Sequence, residues 1–181
     1  MTLRFSKPGS AHHPTLSALV ATTFAASEGA EEGAMVGGLA ARLLATTPPK
    51  DLHAFCAWDG PDMIAASIFS RLSYADDPCD VFILSPMAVA AARQKQGIGQ
   101  QLILHGLAQL RAVGAAVAVT YGDPAFYGRT GFVAVAPDDL AAPFALQFPH
   151  GWVAQSLTPA PLPKLAGPVS CVPALNDPGY W

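Results

Sequence analysis

Hydrophobic positions in the first half of the chain change from helical spacing to strand spacing. Apolar residues first recur every three or four positions, and later form two runs on either side of Asp59-Gly60-Pro61-Asp62, which is typical of a hairpin turn. Glu31 and Glu32 fall in the first turn of the second helix, where negative charge suits the helix dipole. The predicted elements are a strand at 2–5, helices at about 16–28 and 31–46, and strands at 52–58 and 63–72.

The second half contains one long amphipathic helix between two strands. Small or apolar residues recur along one side of a helix from Ile98 to Val113, while His105 falls outside that side. Pro86 has no N–H to give to a strand ladder, so we expect a bulge or a change of pairing there. Asp123 can cap a short helix that contains Tyr127. The other predicted elements are strands at 81–89, 117–121, 144–148 and 152–157.

Length and composition indicate a globular protein. With 181 residues, one domain over 1–181 is expected, with a core at about 1–136 and a proline-rich extension at about 137–181. The extension is rich in apolar residues towards its end, so we expect it to lie extended over the domain. A net charge of −3 with 10 Lys and Arg argues against a nucleic-acid partner.

Cysteine content and hydropathy bear on the compartment. The three cysteines are too few and too scattered for a disulfide framework or a zinc site, so we expect reduced thiols and no metal. No apolar run reaches the ~18 residues that a bilayer span requires, and the N-terminus lacks a signal-peptide pattern. A cytoplasmic location without a membrane partner is predicted.

A loop with two glycines joins the strand at 81–89 to the long helix. Its sequence is Gln94-Lys95-Gln96-Gly97-Ile98-Gly99. A helix that begins in a glycine loop leaves its first N–H groups unpaired at the positive end of its dipole, where a phosphate commonly binds. The loop is not a P-loop, because Gln100-Gln101 follow it in place of Lys-Ser or Lys-Thr. Leu102 replaces the third glycine of a dinucleotide fingerprint, which excludes that motif as well.

Two motifs together resemble the GNAT superfamily of acyl-CoA-dependent N-acetyltransferases. The pyrophosphate loop of that family reads Gln/Arg-x-x-Gly-x-Gly/Ala, and residues 94–99 match it in full. Its later signature, Tyr-x-x-x-Gly-Phe, is matched by residues 127–132. The flanking segments 84–89 and 122–127 are most similar to the YhbS-type branch, and the strong part of the resemblance covers about Phe82 to Phe132.

The resemblance implies an α/β (α+β) fold. It has a mixed, mostly antiparallel central sheet, helices on both faces and a splayed strand pair that receives the pantetheine arm of acyl-CoA. Tyr127 is implied as the catalytic residue, because it corresponds to the tyrosine that donates a proton to the departing thiolate. Cofactor contacts are implied for the main chain of Met87, Ala88 and Val89 along the arm, and for the pyrophosphate loop, which comprises Gln94, Lys95, Gln96, Gly97, Ile98, Gly99 and Gln100.

The general base is left open. Deprotonation of an ammonium group needs a carboxylate or a histidine, often through water. The candidates are Glu28, Glu31 and Glu32, and more weakly His53, Asp80 and His150, and no pattern selects one. Many members of the family carry an Asn at the end of the fifth strand that bonds the cofactor arm. This chain has the residues 120–123, Thr-Tyr-Gly-Asp, at that place, so the usual contact lacks its residue.

The implied activity is transfer of an acetyl group from acetyl-CoA to a primary amine, by direct attack in a ternary complex. Acetyl-CoA is then a co-substrate, and no metal is involved. The alternative is a non-catalytic module that binds acyl-CoA and acts as a sensor. The acceptor is expected to be a small molecule of unidentified structure, and a homodimer is left open.

Overall fold

The computed structural model describes residues 3–181, and the predicted start of the first strand at Thr2 lies outside them. The α-helices of this range are α1 His13–Glu28, α2 Ala30–Thr46, α3 Ile98–Ala112 and α4 Pro124–Gly128. Its strands are β1 Leu3–Ser6, β2 Leu52–Asp59, β3 Asp62–Tyr74, β4 Asp77–Val89, β5 Val117–Tyr121, β6 Val133–Ala134, β7 Trp152–Ser156 and β8 Val169–Cys171.

The strands of residues 3–181 form one eight-stranded sheet. Its order is β1-β2-β3-β4-β5-β7-β6, and β8 pairs with β3 outside that path. β4 and β5 run parallel, whereas the pairs β1–β2, β3–β8, β5–β7 and β6–β7 are antiparallel. The prediction of a mixed, mostly antiparallel sheet with helices is confirmed.

Three local predictions differ from the structure. The predicted strand at 144–148 is wrong: this segment is irregular, and Pro143 and Pro149 on either side of it cannot donate to a ladder. β6 and β8 were not predicted, because two and three residues are too few to show an alternating pattern. β4 begins at Asp77 rather than Val81, since Ala75 and Asp76 form a tight turn after β3.

Contacts divide the described chain into two compact units. The described part of unit 1 comprises 3–69 and 86–106, and unit 2 comprises 70–85 and 107–181. The predicted arrangement as one domain with a C-terminal extension therefore stays a prediction.

In unit 1, two glycines let α1 and α2 approach each other closely. A Cβ on Gly33 would lie 2.6 Å from the carbonyl oxygen of Ala21, and one on Gly37 would lie 2.5 Å from the Ala21 Cβ. Gly29 has φ +101° between the two helices, a conformation that favours glycine, and it lets the chain turn directly from one into the other.

The first part of α3 rests on aromatic side chains of unit 1. A Cβ on Gly106 would lie 2.6 Å from Phe69 and 3.2 Å from Phe55, so a larger residue there would force these rings to move. The His105 ring centroid is 5.5 Å from that of Phe5 and 5.5 Å from that of Phe55. His105 is therefore half-buried rather than outside the apolar side of the helix, and burial lowers its pKa.

In unit 2, aromatic side chains hold the C-terminal extension in place. Three of them donate hydrogen bonds to carbonyls of the extension: Tyr74 to Ala141 (2.7 Å), Trp152 to Leu140 (2.7 Å) and Trp181 to Leu175 (3.1 Å). The Trp152 and Trp181 rings are 6.1 Å apart, and both side chains are almost completely buried. The expectation that the tail lies over the protein rather than free is confirmed.

The cysteine side chains are free thiols. Cys56 is buried, and Cys79 and Cys171 are half-buried. Burial raises the pKa of Cys56 to about 12, which keeps this thiol protonated. Within 3–181, no helix combines the length and the apolarity that crossing a bilayer requires.

Candidate active site

The glycine loop gives α3 an open N-terminus. Lys95 has φ +60° and Gly97 has φ +74°, so the chain twice enters the left-handed region before the helix begins at Ile98. The first helical hydrogen bond runs from the N–H of Gln101 to the carbonyl of Gly97 (3.1 Å). The N–H groups of residues 98–100 therefore have no partner inside the helix, and its first turn contains no acidic side chain. These features fit a bound diphosphate.

Side chains fix this loop to the rest of unit 1. The Gln94 Nε2 donates to the carbonyl of Val89, the last residue of β4, over 3.1 Å. Arg93 forms an ion pair of 2.7 Å with Asp59 at the end of β2, and each side chain is about one-quarter to one-third exposed. Gln94 of the motif therefore has a structural role, because its side chain holds the loop against the end of β4. The ion pair was not predicted, since Asp59 was interpreted only as a turn residue.

The end of β4 continues beyond its pairing with β5. The parallel register runs from Val81 opposite Val117 to Leu84 opposite Thr120, while β4 continues to Val89. Among the described residues, the register of β5 thus includes no partner for positions 85–89. This is the segment whose main chain was predicted to pair with the pantetheine arm. Within it, Ala88 is buried and Met87 and Val89 are half-buried.

Pairing on the other side of β4 is irregular around Pro86. The turn at 75–76 would place Ala90 opposite position 61 if β3 and β4 paired regularly along their length. Instead, the Ala90 N–H donates to the carbonyl of Ile64 over 2.9 Å. This offset of three positions fits the bulge or change of pairing predicted at Pro86.

Tyr127 belongs to unit 2, where α4 and its neighbours hold the ring. Asp123 caps α4 by accepting from the Ala125 N–H (2.9 Å), as predicted. The Tyr127 ring makes edge contacts with Phe126 and Phe132, at centroid distances of 5.1 Å and 5.8 Å. Its position is therefore fixed by packing against two other rings.

Gly122 and Thr120 complete the surroundings of Tyr127. A Cβ on Gly122 would lie 2.8 Å from the Tyr127 Cε2, so the ring lies directly against the glycine. The Thr120 hydroxyl is fully buried and donates to the carbonyl of Leu84 over 2.9 Å. Burial raises the pKa of Tyr127, a hydrogen bond with Thr120 opposes this, and the charge of Asp123 raises the pKa further. The phenol thus stays protonated at neutral pH, as a proton donor must.

The exposure and partners of the base candidates do not select one of them. Glu28 and Glu31 are exposed, and Glu32 is half-buried in the first turn of α2. Asp80 forms an ion pair with Arg71, and His150 is exposed. His53 is half-buried on β2 and has an interaction partner. The base therefore remains unassigned.

Several known proteins are similar to this chain in fold or in sequence. No family model matches the chain. The crystal structure of the GNAT family N-acetyltransferase YhbS from Escherichia coli in complex with CoA superposes with a TM-score of 0.79 at 25% identity, over 97% of this chain and 92% of that one. The chain has the GNAT fold. A GNAT family acetyltransferase from Brucella melitensis in complex with acetyl-CoA gives a TM-score of 0.76 at 23% identity, over 97% and 99% of the two chains.

Curated sequence relatives point to the same branch. The chain is 44% identical to E. coli YhbS over 82 residues, which are 45% of this chain and 49% of the relative. It is 34% identical to E. coli YjhQ over 110 residues, which are 58% and 60% of the two chains. Both are described as uncharacterized N-acetyltransferases. The matches span only about half of these relatives, yet together with the fold they confirm the resemblance to GNAT proteins of the YhbS type.

The structure places the predicted residues in two groups. The loop 94–100 and the main chain of 87–89 lie together in unit 1, joined through the bond from Gln94 to Val89. Tyr127 lies in unit 2 with Gly122 and Thr120. Sequence reasoning did not identify the packing roles of these last two residues. The signal that could have found them is the Thr-Tyr-Gly-Asp sequence at the place where other members carry Asn.

Proposed function

We propose that this protein is an N-acetyltransferase that moves the acetyl group of acetyl-CoA to a primary amine by direct attack in a ternary complex. The observation that carries the proposal is the glycine loop before α3. The first three N–H groups of the helix have no partner within it, and the Gln94 side chain donates a hydrogen bond to the Val89 carbonyl at the end of β4. The CoA and acetyl-CoA complexes of the two structural neighbours support it.

Backbone N–H groups of residues 96–100 would bind the pyrophosphate. At the start of α3 they combine hydrogen-bond donors with the positive end of the helix dipole. Gly97 permits the left-handed turn that directs these groups towards one anion. Lys95 is exposed on the same loop and adds a positive charge nearby. The first turn of α3 contributes no opposing carboxylate.

The β4 segment Met87, Ala88 and Val89 would pair with the pantetheine arm. Its main chain lies beyond the register with β5, so an extended ligand can take the hydrogen bonds that a strand would otherwise take. One N–H of this segment would also donate to the thioester carbonyl oxygen as negative charge develops there.

The transfer step forms one bond and breaks another. The neutral amine attacks the thioester carbon, the C–N bond forms, and the C–S bond breaks as the electron pair moves to sulfur. Tyr127 donates its phenolic proton to the departing thiolate. The nitrogen that has attacked releases one proton to solvent, and the Tyr127 phenolate regains one from solvent, so that the protons balance over the cycle. Its raised pKa keeps the proton available near neutral pH.

The acceptor, the compartment and the assembly belong to the same proposal. We expect a small-molecule amine, a cytoplasmic location, and neither a membrane nor a nucleic-acid partner. Size-exclusion chromatography with light scattering decides whether the protein is a monomer or a homodimer.

Acetyl-CoA binding and thiol release test the proposal together. We expect calorimetry to detect acetyl-CoA binding, and an amine panel to release free CoA thiol. Tyr127→Phe should slow turnover by about 10²-fold or more, within the range for one general acid, without weakening acetyl-CoA binding. Tight binding without thiol release from any amine would favour the sensor alternative. Absence of acetyl-CoA binding in folded protein would refute the proposal.

A further inference from the structure

The turn that follows α4 holds the backbone of Tyr127. α4 has only 5 residues, too few for a helix that is stable without outside contacts. The Thr130 N–H and the Thr130 hydroxyl both donate to the Tyr127 carbonyl, over 2.9 Å and 2.8 Å, and the Phe132 N–H lies 3.4 Å from the same oxygen. Thr130 is buried. The position of Tyr127 therefore depends on what fixes the turn at 129–132.

Gln155 of β7 contacts this turn from the sheet. It lies opposite Ala118 of β5 in the antiparallel register, and its side chain is half-buried. With the amide oriented so that both of its ends have partners, its nitrogen donates to the Thr130 carbonyl over 3.2 Å and its oxygen accepts from the Arg111 guanidinium over 3.3 Å. The sheet thus provides a fixed point for the turn.

Gly131 lets the turn lie directly on the Gln155 amide. Gly131 has φ +95°, a conformation that favours glycine, and a Cβ on it would lie 2.6 Å from that amide. The glycine of the Tyr-x-x-x-Gly-Phe motif is therefore required here by a side chain that belongs to no motif of the sequence.

Arg111 fixes the orientation of the amide. It lies in the last turn of α3, where a positive charge suits the helix dipole. A guanidinium has donors and no acceptor, so it contacts the amide oxygen and leaves the amide nitrogen to face Thr130. The hydrogen bonds thus form one directed chain within unit 2, and this chain ends at the Tyr127 carbonyl.

We propose that Gln155 is a positioning residue for the proton donor Tyr127, and that Arg111 holds its amide in the orientation that this role requires. The inference rests on the proposed acetyltransferase function. A general acid has to lie within hydrogen-bond reach of the atom that it protonates, and a displacement of about 1 Å can cost up to about 10²-fold in rate. Gln155 acts through the turn at 129–132 and not on the reacting atoms.

Three variants separate the contacts of the amide. Gln155→Leu removes both hydrogen bonds at similar side-chain size. Gln155→Glu can still accept from Arg111, but an ionised carboxylate has no donor for the Thr130 carbonyl. The matched control is Ser156→Ala, which removes a hydrogen bond of 2.7 Å to the Ala160 carbonyl at the next position of β7, on the other face of the strand. Urea denaturation verifies that each variant is folded.

Turnover gives the first readout. We expect both Gln155 variants to lower kcat by about fivefold to fiftyfold, and Ser156→Ala to retain it. The KM for acetyl-CoA should stay within about twofold, because the pyrophosphate loop belongs to unit 1. When Tyr127→Phe is already present, Gln155→Leu should change kcat by less than about twofold, because no phenolic proton is left to place. A merely structural role would lower kcat equally with and without Tyr127→Phe, and that result would overturn the proposal. So would a parent-like kcat in Gln155→Glu.

Amide hydrogen exchange, followed by NMR, gives a readout that needs no turnover. Loss of the Gln155 amide should speed exchange of the Thr130 N–H by about tenfold relative to Ser156→Ala, since this N–H is protected by its bond to the Tyr127 carbonyl. If no amine turns over with the parent chain, the proposed function fails. Faster exchange would then still support Gln155 as the residue that fixes Tyr127, and unchanged exchange would overturn it. Turnover that the Gln155 variants leave unchanged would overturn the positioning role alone and leave the acetyltransferase in place.

Discussion

Substitution of Gly122 by alanine tests whether the position of Tyr127 matters for turnover. The new Cβ would lie 2.8 Å from the Tyr127 Cε2. Because carbon atoms pack at about 3.5–4.0 Å, the ring has to retreat by about 0.7 Å or more. Phe126 and Phe132 also contact the ring, so the movement would disturb them as well. Overpacking of this kind destabilises by about 1–3 kcal/mol.

The catalytic effect should exceed the effect on binding. A displacement of about 1 Å at a reacting group can cost up to about 10²-fold in rate, so we expect Gly122→Ala to lower kcat by about tenfold to a hundredfold. The KM for acetyl-CoA should stay within about twofold, because the pyrophosphate loop belongs to unit 1 and is unchanged. Initial rates with the best amine, together with calorimetry of CoA, measure the two effects separately.

Gly128→Ala is the matched control. It lies in α4 close to the same tyrosine, and no atom comes within 4 Å of the position of its added Cβ. Alanine favours helix more than glycine by up to about 1 kcal/mol, so this variant should fold and turn over like the parent. Folded Gly122→Ala with the same kcat as Gly128→Ala would refute the reasoning, because the ring would then not need its observed position.

Three further predictions concern the loop and the phenol. Gly97→Ala places a side chain at φ +74°, which costs about 1–2 kcal/mol of strain, so the Kd for CoA should rise about five- to thirtyfold in calorimetry while thermal melting still shows a folded protein. Arg93→Ala breaks the ion pair with Asp59 and should weaken CoA binding by up to about fivefold without changing kcat; an unchanged Kd would contradict the anchoring role. Thr120→Val, next to the phenol, removes the buried hydrogen bond that Thr120 donates to the Leu84 carbonyl and should lower the free energy of unfolding by about 1–3 kcal/mol in urea denaturation; Thr120→Ser should retain the bond, and equal stability of the two variants would contradict its role.

The direction in which the stability contributed by Tyr127 changes with pH follows from its burial. Its pKa is higher in the folded protein than in the unfolded chain, so folding binds this proton more tightly. The resulting stability is fully present below the ordinary pKa of tyrosine, about 10, and is lost as pH rises through the raised value. The phenol therefore remains a proton donor across the neutral range.

Sequence could predict the elements whose pattern is long and regular. α1, α2 and α3 each repeat their apolar positions over several turns, and the loop motif lies at a fixed place before α3. β6 and β8 have only two and three residues and were missed, since their pairing depends on partners distant in the chain. The predicted strand at 144–148 was wrong for another reason: its apolar residues are half-buried or exposed, and the prolines on either side prevent a ladder.

In the candidate site, too, local features could be predicted and contacts between distant residues could not. The loop residues, Tyr127 and the cap at Asp123 could be named from the sequence because each is a local signal. The ion pair between Asp59 and Arg93 could not, since 34 positions separate its partners and only the fold brings them together. Long-range contacts of this kind leave no periodicity and no motif in the sequence.

The missing asparagine and the close packing at Gly122 have one common explanation. Where many members of the superfamily place an Asn side chain at the end of the fifth strand, this chain has Thr120 bonded back to the Leu84 carbonyl and a glycine against the Tyr127 ring. The absence of a side chain at 122 lets the Tyr127 ring lie against the strand end, and the absence of one at 151 lets the next turn lie against the Gly122 carbonyl oxygen. An asparagine at 122 would have to displace the Tyr127 ring. The glycine at 122 therefore accounts for the position of the proposed proton donor, which is why Gly122→Ala should lower turnover.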